Sequence, residues 1–325
     1  MLKIAIIGCG QIGSRHLQGL SKISEPVKLF LIDSCVDSIK TSIDRFEEVV
    51  SKQERNKFEL QVVDIGSINC NLDFAIISTS SAERANLTSK LLLNTKVKFI
   101  IFEKFLFQNR SDYLKINNLL NMVKVNAWVN QWMSSSEAYI EIADWFGSDL
   151  QEIIVTGNNW GMGCNSVHYI DYFDKVTGRK SLELIESNID NKVLKIKREG
   201  YYEVTGSIVI RSENGVKLTL KSRKAKKTEL AKLIMIGKNK RIEASTNNQI
   251  LTCNYFDASN GELTKNFDIP FQSSITGSII ENICLNQNSS LPTYDQSVKH
   301  HLVLFDSLQE VFKSNFNLKN KCLIT

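Results

Sequence analysis

The chain lacks three features that would take it out of the ordinary globular class. No apolar run approaches the ~20 residues that are needed to span a bilayer. The N-terminus enters an apolar strand directly, without the charged, apolar and small-residue regions of a cleavable signal. The seven cysteines are odd in number and form no CxxC pair, which argues against a disulfide framework. We therefore expect a soluble cytoplasmic protein with reduced thiols.

A strong excess of charge of either sign is also missing. The formal net charge is +5, from 40 basic and 35 acidic residues, and the excess is too scattered to predict nucleic-acid binding. The one local basic run is KSRKAKK, at residues 221–227. A solvated hairpin or sheet face is the simpler interpretation of this run. The alternative is a landing site for an anionic substrate or partner.

What is present is a change of pattern near residue 128. Up to that point, short continuous apolar runs alternate with longer amphipathic segments, which predicts a parallel doubly wound α/β sheet. After it, several strand-like runs follow one another without intervening helices, which predicts an α+β domain on an open, mostly antiparallel sheet. We therefore predict a Rossmann domain at residues 1–128 and a substrate-binding and oligomerisation domain at residues 129–325.

Residues 8–13 read GCGQIG, a GxGxxG pattern that directly follows an apolar strand and directly precedes a helical segment. That context predicts a dinucleotide-binding turn. The first glycine permits the tight turn, the second lets the backbone approach a pyrophosphate, and the third allows close helix–strand packing. The N–H groups at the helix N-terminus then face the phosphates. The expected contacts from this turn are Gly8, Gly10, Gln11, Ile12 and Gly13.

Asp33 lies 20 residues after the last glycine of the motif, at the end of the second predicted strand. A carboxylate at this place is expected to hold the adenine ribose hydroxyls, and it would repel a 2′-phosphate. Residues 34–36, Ser-Cys-Val, supply no cation. We therefore predict that the cofactor is NAD rather than NADP.

Beyond this motif, the sequence resembles the glucose–fructose oxidoreductase and inositol 2-dehydrogenase family over nearly the whole chain. The family begins with GxGxxGxxH, and residues 8–16 read GCGQIGSRH. Its threonine-containing loop is matched by residues 78–81, STSS, and its E-K-P motif by Glu103-Lys104-Phe105. Its D-x-G-x-H-x-x-D segment is matched by residues 164–171, CNSVHYID.

The resemblance implies a Rossmann domain and an α/β domain with the active site in the crevice between them. It implies oxidation or reduction of a sugar, nucleotide sugar, cyclitol or related polyol through NAD(P). It also implies a homodimer or homotetramer formed through the open sheet of the second domain. The further cofactor contacts that it implies are Ser78, Thr79, Glu103 and Lys104.

Several positions depart from the family pattern. Phe105 stands where most members have a proline that follows a cis bond. Because a cis bond before any other residue costs ~2.5–4 kcal/mol, a different local path for Glu103 and Lys104 is an alternative here. Cys164 replaces the family's aspartate, and an arginine common after the domain crossover is missing from residues 130–132, Asn-Gln-Trp. The predicted cofactor half is therefore complete, while the substrate half belongs to an unusual branch.

Two residues are expected to carry the chemistry. Lys104 would hydrogen-bond the reacting hydroxyl and help to move its proton, and His168 would share the proton transfer or orient the substrate. Cys164, His168 and Asp171 share one helical face, but hydride transfer needs no metal, and none is predicted. Trp132 and Trp160 could stack on a sugar or base, or lie in the core. The predicted substrate contacts are Lys104, Trp160, Cys164, Asn165 and His168.

Three functions compete on the sequence alone. The first is an NAD-dependent sugar dehydrogenase or reductase. The second is a non-catalytic dinucleotide-sensing regulatory protein of the same fold, which the changes at Cys164 and Phe105 keep open. The third is a dehydrogenase of an amino acid or imine. Retention of both Lys104 and His168 argues against the second, and residues 161–168, GMGCNSVH, favour the sugar enzyme over the third.

Overall fold

The computed structural model describes all 325 residues, and its contacts divide the chain into two compact units. The first unit consists of residues 1–107, 111–130 and 270–295. The second consists of residues 108–110, 131–269 and 296–325. Neither unit is therefore a single continuous stretch of the chain.

The first unit is built on a six-stranded sheet in which every neighbouring pair is parallel. The strand order is β3-β2-β1-β4-β5-β6. The bounds are β1 Leu2–Ile7, β2 Val27–Ile32, β3 Phe58–Val62, β4 Leu72–Ile77, β5 Val97–Phe102 and β6 Asn126–Val129. The central strands are continuous apolar runs because both faces of a parallel sheet are covered. The predicted doubly wound sheet is confirmed.

The helices between these strands are α1 Gln11–Leu20, α2 Val36–Glu47, α3 Arg84–Asn94 and α4 Arg110–Val123. Buried apolar side chains from α1 and the sheet form one core, which includes Leu17, Leu20 and Phe74. A later helix, α7 (Gln272–Asn286), adds Ile280 and Ile283 to the same core.

Helix α7 lies within residues 129–325, which the sequence assigned to the second domain, yet it packs with the first unit. The reason is a close helix contact with α1. A Cβ atom on Gly277 would lie 2.7 Å from the carbonyl oxygen of Gly19, and one on Gly19 would lie 2.8 Å from Cβ of Thr276. Two facing glycines thus let the two helix backbones approach closely, and periodicity within either helix does not reveal the partner.

The second unit contains an eight-stranded sheet in the order β16-β15-β14-β13-β7-β12-β11-β8. Only the β7–β12 pair is parallel, so the predicted open, mostly antiparallel sheet is confirmed. The bounds are β7 Leu150–Asn158, β8 Leu182–Ile189, β11 Gly206–Ser212, β12 Lys217–Arg223, β13 Glu229–Gly237, β14 Lys240–Asn247, β15 Ile250–Asp257 and β16 Gly261–Asp268. A separate short pair joins β9 Leu194–Lys195 to β10 Tyr202–Glu203.

The remaining helices are α5 Glu137–Phe146, α6 Met162–Val176 and α8 Tyr294–Phe316. In the central strands of the large sheet, one face is buried and the other is half-buried, as the alternation of Ile153, Ile154 and Val155 along β7 shows. No helix of the chain is both long and apolar enough to cross a membrane.

The close contact between α1 and α7 at Gly19 and Gly277 leads to a prediction about stability. Replacing Gly277 by valine should destabilise the protein, because overpacking against the Gly19 backbone costs about 1–3 kcal/mol and outweighs the roughly 0.5 kcal/mol that valine gains over glycine in a helix. Ser278→Val, one residue along on the exposed side, is the matched control and should change little. Denaturant unfolding measures both, and equal stabilities would contradict the packing role of Gly277.

Candidate active site

The glycine-rich turn joins β1 to α1, and two of its glycines are required by close backbone packing. Gly8 has φ +95°, and a Cβ atom there would lie 2.7 Å from the backbone nitrogen of Thr79. A Cβ atom on Gly13 would lie 1.8 Å from the carbonyl oxygen of Gly8. Gly10 differs, because a Cβ atom there would meet no protein atom within 4 Å. The backbone at Gly10 therefore borders open space that a ligand can approach.

Asp33, just past the end of β2, holds the same turn. One carboxylate oxygen accepts a hydrogen bond from the Cys9 backbone N–H at 2.7 Å, and the other accepts one from Cys35 N–H at 2.8 Å. A carboxylate oxygen has capacity for a second bond, so the ribose-binding role predicted for Asp33 is compatible with these contacts. The burial of Cys9 raises the pKa of its thiol to about 12, so this cysteine is an inert part of the turn.

The structure also brings a cation to the turn that the sequence did not reveal. Arg45 on α2 donates to Gln11 Oε1 at 3.0 Å and to Ser14 Oγ at 2.7 Å, both in the first turns of α1. The sequence reasoning considered only residues 34–36 after Asp33. Arg45 lies three helical turns along α2, and its contact with α1 depends on how the two helices pack. The few residues that follow Asp33 do not show that packing.

Ser78 and Thr79 follow β4 and play different parts. The Ser78 hydroxyl donates to the Gly8 carbonyl at 2.7 Å, so it holds the turn from behind. The Thr79 hydroxyl is shielded from solvent and has no hydrogen-bond partner in the protein. A buried hydroxyl without a partner is costly unless a ligand or water completes it. Together with the open space at Gly10, this hydroxyl fits a bound nicotinamide dinucleotide.

Glu103 directly follows β5 and is buried, with 5% of its surface exposed. Its Oε1 atom accepts hydrogen bonds from His16 Nε2 at 2.9 Å and from Asn130 Nδ2 at 2.5 Å. Burial raises the pKa of the Glu103 carboxyl, but the hydrogen bond and charge of His16, with help from Asn130 and Lys104, outweigh it and leave the pKa lowered. Glu103 is therefore a buried carboxylate, and both of these contacts are to protein.

Lys104 follows Glu103 and is partly exposed. The peptide bond between Lys104 and Phe105 is cis, so the proline-free sequence keeps the bond geometry that the resemblance implied. The guanidinium of Arg84, 2% exposed at the start of α3, donates to the carbonyl oxygens of Thr79, Phe105 and Leu106. Arg84 thus joins the loop after β4 to the loop after β5.

Sequence reasoning did not identify Arg84 as a site residue, although a signal exists. A cation in the first turn of a helix opposes the helix dipole, so an arginine at the first position of α3 needs a compensating partner. The carbonyl oxygens that it binds supply that compensation.

In the second unit, the N-terminus of α6 carries Cys164 and Asn165. Both Glu203 carboxylate oxygens are used here, one accepting from Gly163 N–H at 2.7 Å and the other from Cys164 N–H at 3.0 Å. Asn165 donates to the Trp160 carbonyl at 3.0 Å. The carboxylate that Cys164 lacks is therefore supplied next to it by Glu203, from β10. Sequence reasoning missed Glu203 because 39 residues separate it from Cys164.

His168 lies one turn further along α6 and is 8% exposed. Its ring packs against Trp132, with 6.1 Å between ring centroids. Trp160 is instead 6% exposed, packs edge-on against Tyr169, and donates its indole N–H to the Lys221 carbonyl at 2.9 Å. Trp132, which is partly exposed, is therefore the better placed ring to contact a ligand beside His168.

Asp171 shares a helical face with Cys164 and His168 in the sequence, but the structure gives it other partners. Its carboxylate accepts from Arg179 at 3.1 Å, and Arg179 also reaches Asp174 at 3.4 Å. His300 on α8 contacts Asp174 at 2.9 Å. These side chains contact one another, so Asp171 belongs to a packing cluster at the C-terminal half of α6.

The fold defines a class of architecture: two units, one with a six-stranded parallel Rossmann-type sheet and one with a mixed eight-stranded sheet. No family model matches the chain, and no curated protein matches it by sequence. Among solved structures with this fold is a UDP-N-acetylglucosamine 3-dehydrogenase from Acidithiobacillus ferrooxidans, at 11% identity and a TM-score of 0.66, with 95% of this chain and 96% of that one covered.

A 3-ketoreductase from Actinomadura kijaniata in complex with NADP is similar at 14% identity and a TM-score of 0.67, over 93% of this chain and 95% of that one. An oxidoreductase from Agrobacterium radiobacter in complex with NAD⁺, L-tartaric acid and magnesium is similar at 12% identity and a TM-score of 0.68, over 93% and 94% of the two chains. The predicted resemblance to the glucose–fructose oxidoreductase and inositol 2-dehydrogenase family is thus confirmed in the fold.

Cys35 offers a direct test of the dinucleotide site. It is exposed, it donates its N–H to Asp33, and hydrogen bonds with Ser38 lower the pKa of its thiol. We expect iodoacetamide to modify Cys35 readily and bound NADH to protect it, as read by peptide mass spectrometry. Cys70 precedes β4 and so lies at the amino ends of the parallel strands, whereas Asp33 and Cys35 follow a carboxyl end. NADH should therefore give Cys70 no protection. Equal labelling of Cys35 with and without saturating NADH would contradict the predicted site.

Proposed function

We propose that the protein is a nicotinamide-dependent oxidoreductase that transfers a hydride between the cofactor and a secondary alcohol or ketone of a sugar, nucleotide sugar or cyclitol. The observation that carries the proposal is that three features of the candidate site lie at the same end of the parallel sheet. The open backbone at Gly10, the partnerless Thr79 hydroxyl and Lys104 all follow the carboxyl ends of its strands. Ligands of open α/β sheets bind at that end.

The cofactor, when bound, supplies the hydride or accepts it. Gly8, Gly10 and Gly13 would hold its pyrophosphate, and Asp33 its adenine ribose. Lys104 would hydrogen-bond the reacting oxygen of the substrate and hold or move its proton, since hydride leaves a carbinol carbon readily only if the hydroxyl proton leaves too. His168 would orient the substrate or share that proton, with Trp132, Cys164 and Asn165 as neighbouring contacts.

The non-catalytic alternative has less support. A dinucleotide sensor needs the glycine turn but has no use for a proton-transferring Lys104 or for His168. The changes at Cys164 and Phe105 were the two arguments for this alternative, and the Glu203 carboxylate beside Cys164 weakens the first of them. An amino acid or imine dehydrogenase stays distinguishable by its substrates.

For the cofactor, we propose NAD over NADP. The Asp33 carboxylate would repel a 2′-phosphate on the adenine ribose. Arg45 is the cation that argues the other way, but its guanidinium already donates to Gln11 and Ser14. In the Cys35 alkylation assay, NADH should therefore protect at a lower concentration than NADPH.

The basic run at residues 221–227 bears on the substrate. Asn159 donates its N–H to the Arg223 carbonyl at 3.0 Å and its side-chain amide to the Ala225 carbonyl at 2.5 Å. These bonds hold the basic loop against the segment that leads into α6 and His168. We propose that this loop favours substrates with an anionic portion, such as nucleotide sugars.

The role of Lys104 is tested by Lys104→Met. We expect kcat on the best substrate to fall by about 10²–10⁴-fold, the usual contribution of a positioned acid–base group. NADH binding should stay nearly unchanged, because the glycine turn and Asp33 hold the dinucleotide. Lys98→Met, an exposed change on β5, is the control and should keep full turnover.

The substrate is found with a panel of sugars, nucleotide sugars and inositols, read by NADH absorbance. Turnover of amino acids alone would refute the sugar assignment. Full turnover by Lys104→Met would assign the proton transfer to another group, His168 first.

We also propose that the protein is a homodimer or homotetramer assembled through the large sheet. Across the half-buried face, Val209, Thr219, Ile154 and Ile234 lie side by side on neighbouring strands. Three of these four side chains are apolar, and apolar surface outside the core is typical of interaction sites. A cytoplasmic location stays an expectation of the sequence.

Sedimentation velocity at micromolar concentration tests the assembly. We expect an oligomer for the unmodified chain and a shift towards monomer for Ile234→Lys, which places a charge on the proposed interface. Leu93→Lys, on an exposed apolar residue of α3 in the first unit, should leave the assembly intact. A monomeric unmodified chain would contradict the proposal.

A further inference from the structure

A buried polar network lies behind Lys104 and has no part in the proton transfer just described. His16 on α1 is 1% exposed, and its two ring nitrogens contact different elements. Nε2 lies 2.9 Å from Glu103 Oε1 at the end of β5, and Nδ1 lies 3.0 Å from Thr276 Oγ1 on α7. The imidazole ring of His16 therefore links α1 to the end of β5 and to α7.

The contacts of Thr276 define the far side of this bridge. Thr276 is 1% exposed, and its hydroxyl accepts a hydrogen bond from Gln272 Nε2 at 3.0 Å. Gln272 Oε1 in turn accepts from Asn130 Nδ2 at 2.8 Å, and the same Asn130 nitrogen donates to Glu103 at 2.5 Å. The five side chains form a closed ring of hydrogen bonds, so a shift of one member is transmitted to the others.

Charge explains why the ring holds Glu103 firmly. A buried carboxylate is tolerated only when it is paired and hydrogen-bonded. Glu103 Oε1 takes both its donors from this ring, His16 and Asn130. In every protonation state that satisfies the carboxylate, Nε2 of His16 carries a proton and donates it to Glu103. Removing the His16 donor would leave the buried Glu103 carboxylate with only the Asn130 donor from this ring.

The position of Glu103 decides that of Lys104. The two residues are adjacent, and Glu103 N–H also donates to the Ile77 carbonyl at 3.0 Å, which continues the sheet pairing to the end of β5. On the other side of Lys104, Arg84 binds the carbonyl oxygens of Phe105 and Leu106. The backbone that carries Lys104 is thus held at both ends by buried side chains.

We propose that His16 and Thr276 are positioning residues for Lys104. They hold Glu103, and through it they place the Lys104 amine for the reaction; this inference rests on the proposed function of Lys104. Misplacement of a reacting group by 1 Å can cost about 100-fold in rate, so the effect of losing the network should appear in kcat. The segment at residues 270–295 then serves the site as well as the core.

Thr276→Val tests this most cleanly, because it keeps the shape of the side chain and removes only the hydroxyl. We expect kcat to fall by about 10- to 100-fold, with the KM of the substrate and the binding of NADH little changed. The primary isotope effect with deuterated NADH should rise, because hydride transfer becomes rate-limiting. Thr276→Ser keeps the hydroxyl and should restore kcat. His16→Leu should match Thr276→Val or exceed it.

A second readout is independent of turnover. Competitive labelling with acetic anhydride, read by mass spectrometry, reports the environment of each amine. In Thr276→Val, the labelling rate of Lys104 should change severalfold, while that of Lys98 on β5 stays constant. Folded Thr276→Val with unchanged Lys104 labelling would overturn the proposal whether or not a substrate is known. Altered Lys104 labelling in a protein that turns over no member of the substrate panel would refute the proposed function and leave the positioning network standing.

Discussion

The structure of the first unit depends on one close approach, that of the Gly13 backbone to the Gly8 carbonyl. A single added methyl carbon at Gly13 would lie 1.8 Å from that oxygen. This contact seats α1 directly on the end of β1. Because α1 is seated there, it begins beside the open space at Gly10, and His16, one turn later, reaches Glu103. The predicted cofactor turn and the proposed support of Lys104 therefore share one helix.

Carboxylates with hydrogen-bond donors in the protein organise both units, and each accepts from a different kind of donor. Glu103 uses an imidazole and an amide, Glu203 uses two backbone N–H groups at the start of α6, and Asp171 uses the guanidinium of Arg179. Glu203 also supplies a carboxylate beside Cys164, at the position where the family pattern has an aspartate. A carboxylate need not come from the motif position itself, because a neighbouring strand can deliver one to the same helix end. The carboxylate at the start of α6 thus comes from β10 and not from position 164 itself.

Local patterns were enough to predict the elements that pack through their own periodicity. The parallel strands, the glycine turn with Asp33, and the α6 segment with His168 all follow from short stretches of chain. The same patterns did not identify Arg84, Arg45 or Glu203, because each acts on a partner in another element. They also placed α7 with the wrong neighbours, since the facing glycines Gly19 and Gly277 are 258 positions apart.

By itself, the sequence determined the alternation of strands and helices in the first unit, the dinucleotide turn and the presence of Lys104 and His168. These depend on backbone conformation and on residue types within a few turns of one another. The tertiary structure alone decided which buried groups meet. It closed the ring of His16, Glu103, Asn130, Gln272 and Thr276 from four separate elements, and left the Thr79 hydroxyl without a partner. Hydrogen bonds act over about 3 Å in space, a distance that separation along the chain does not encode.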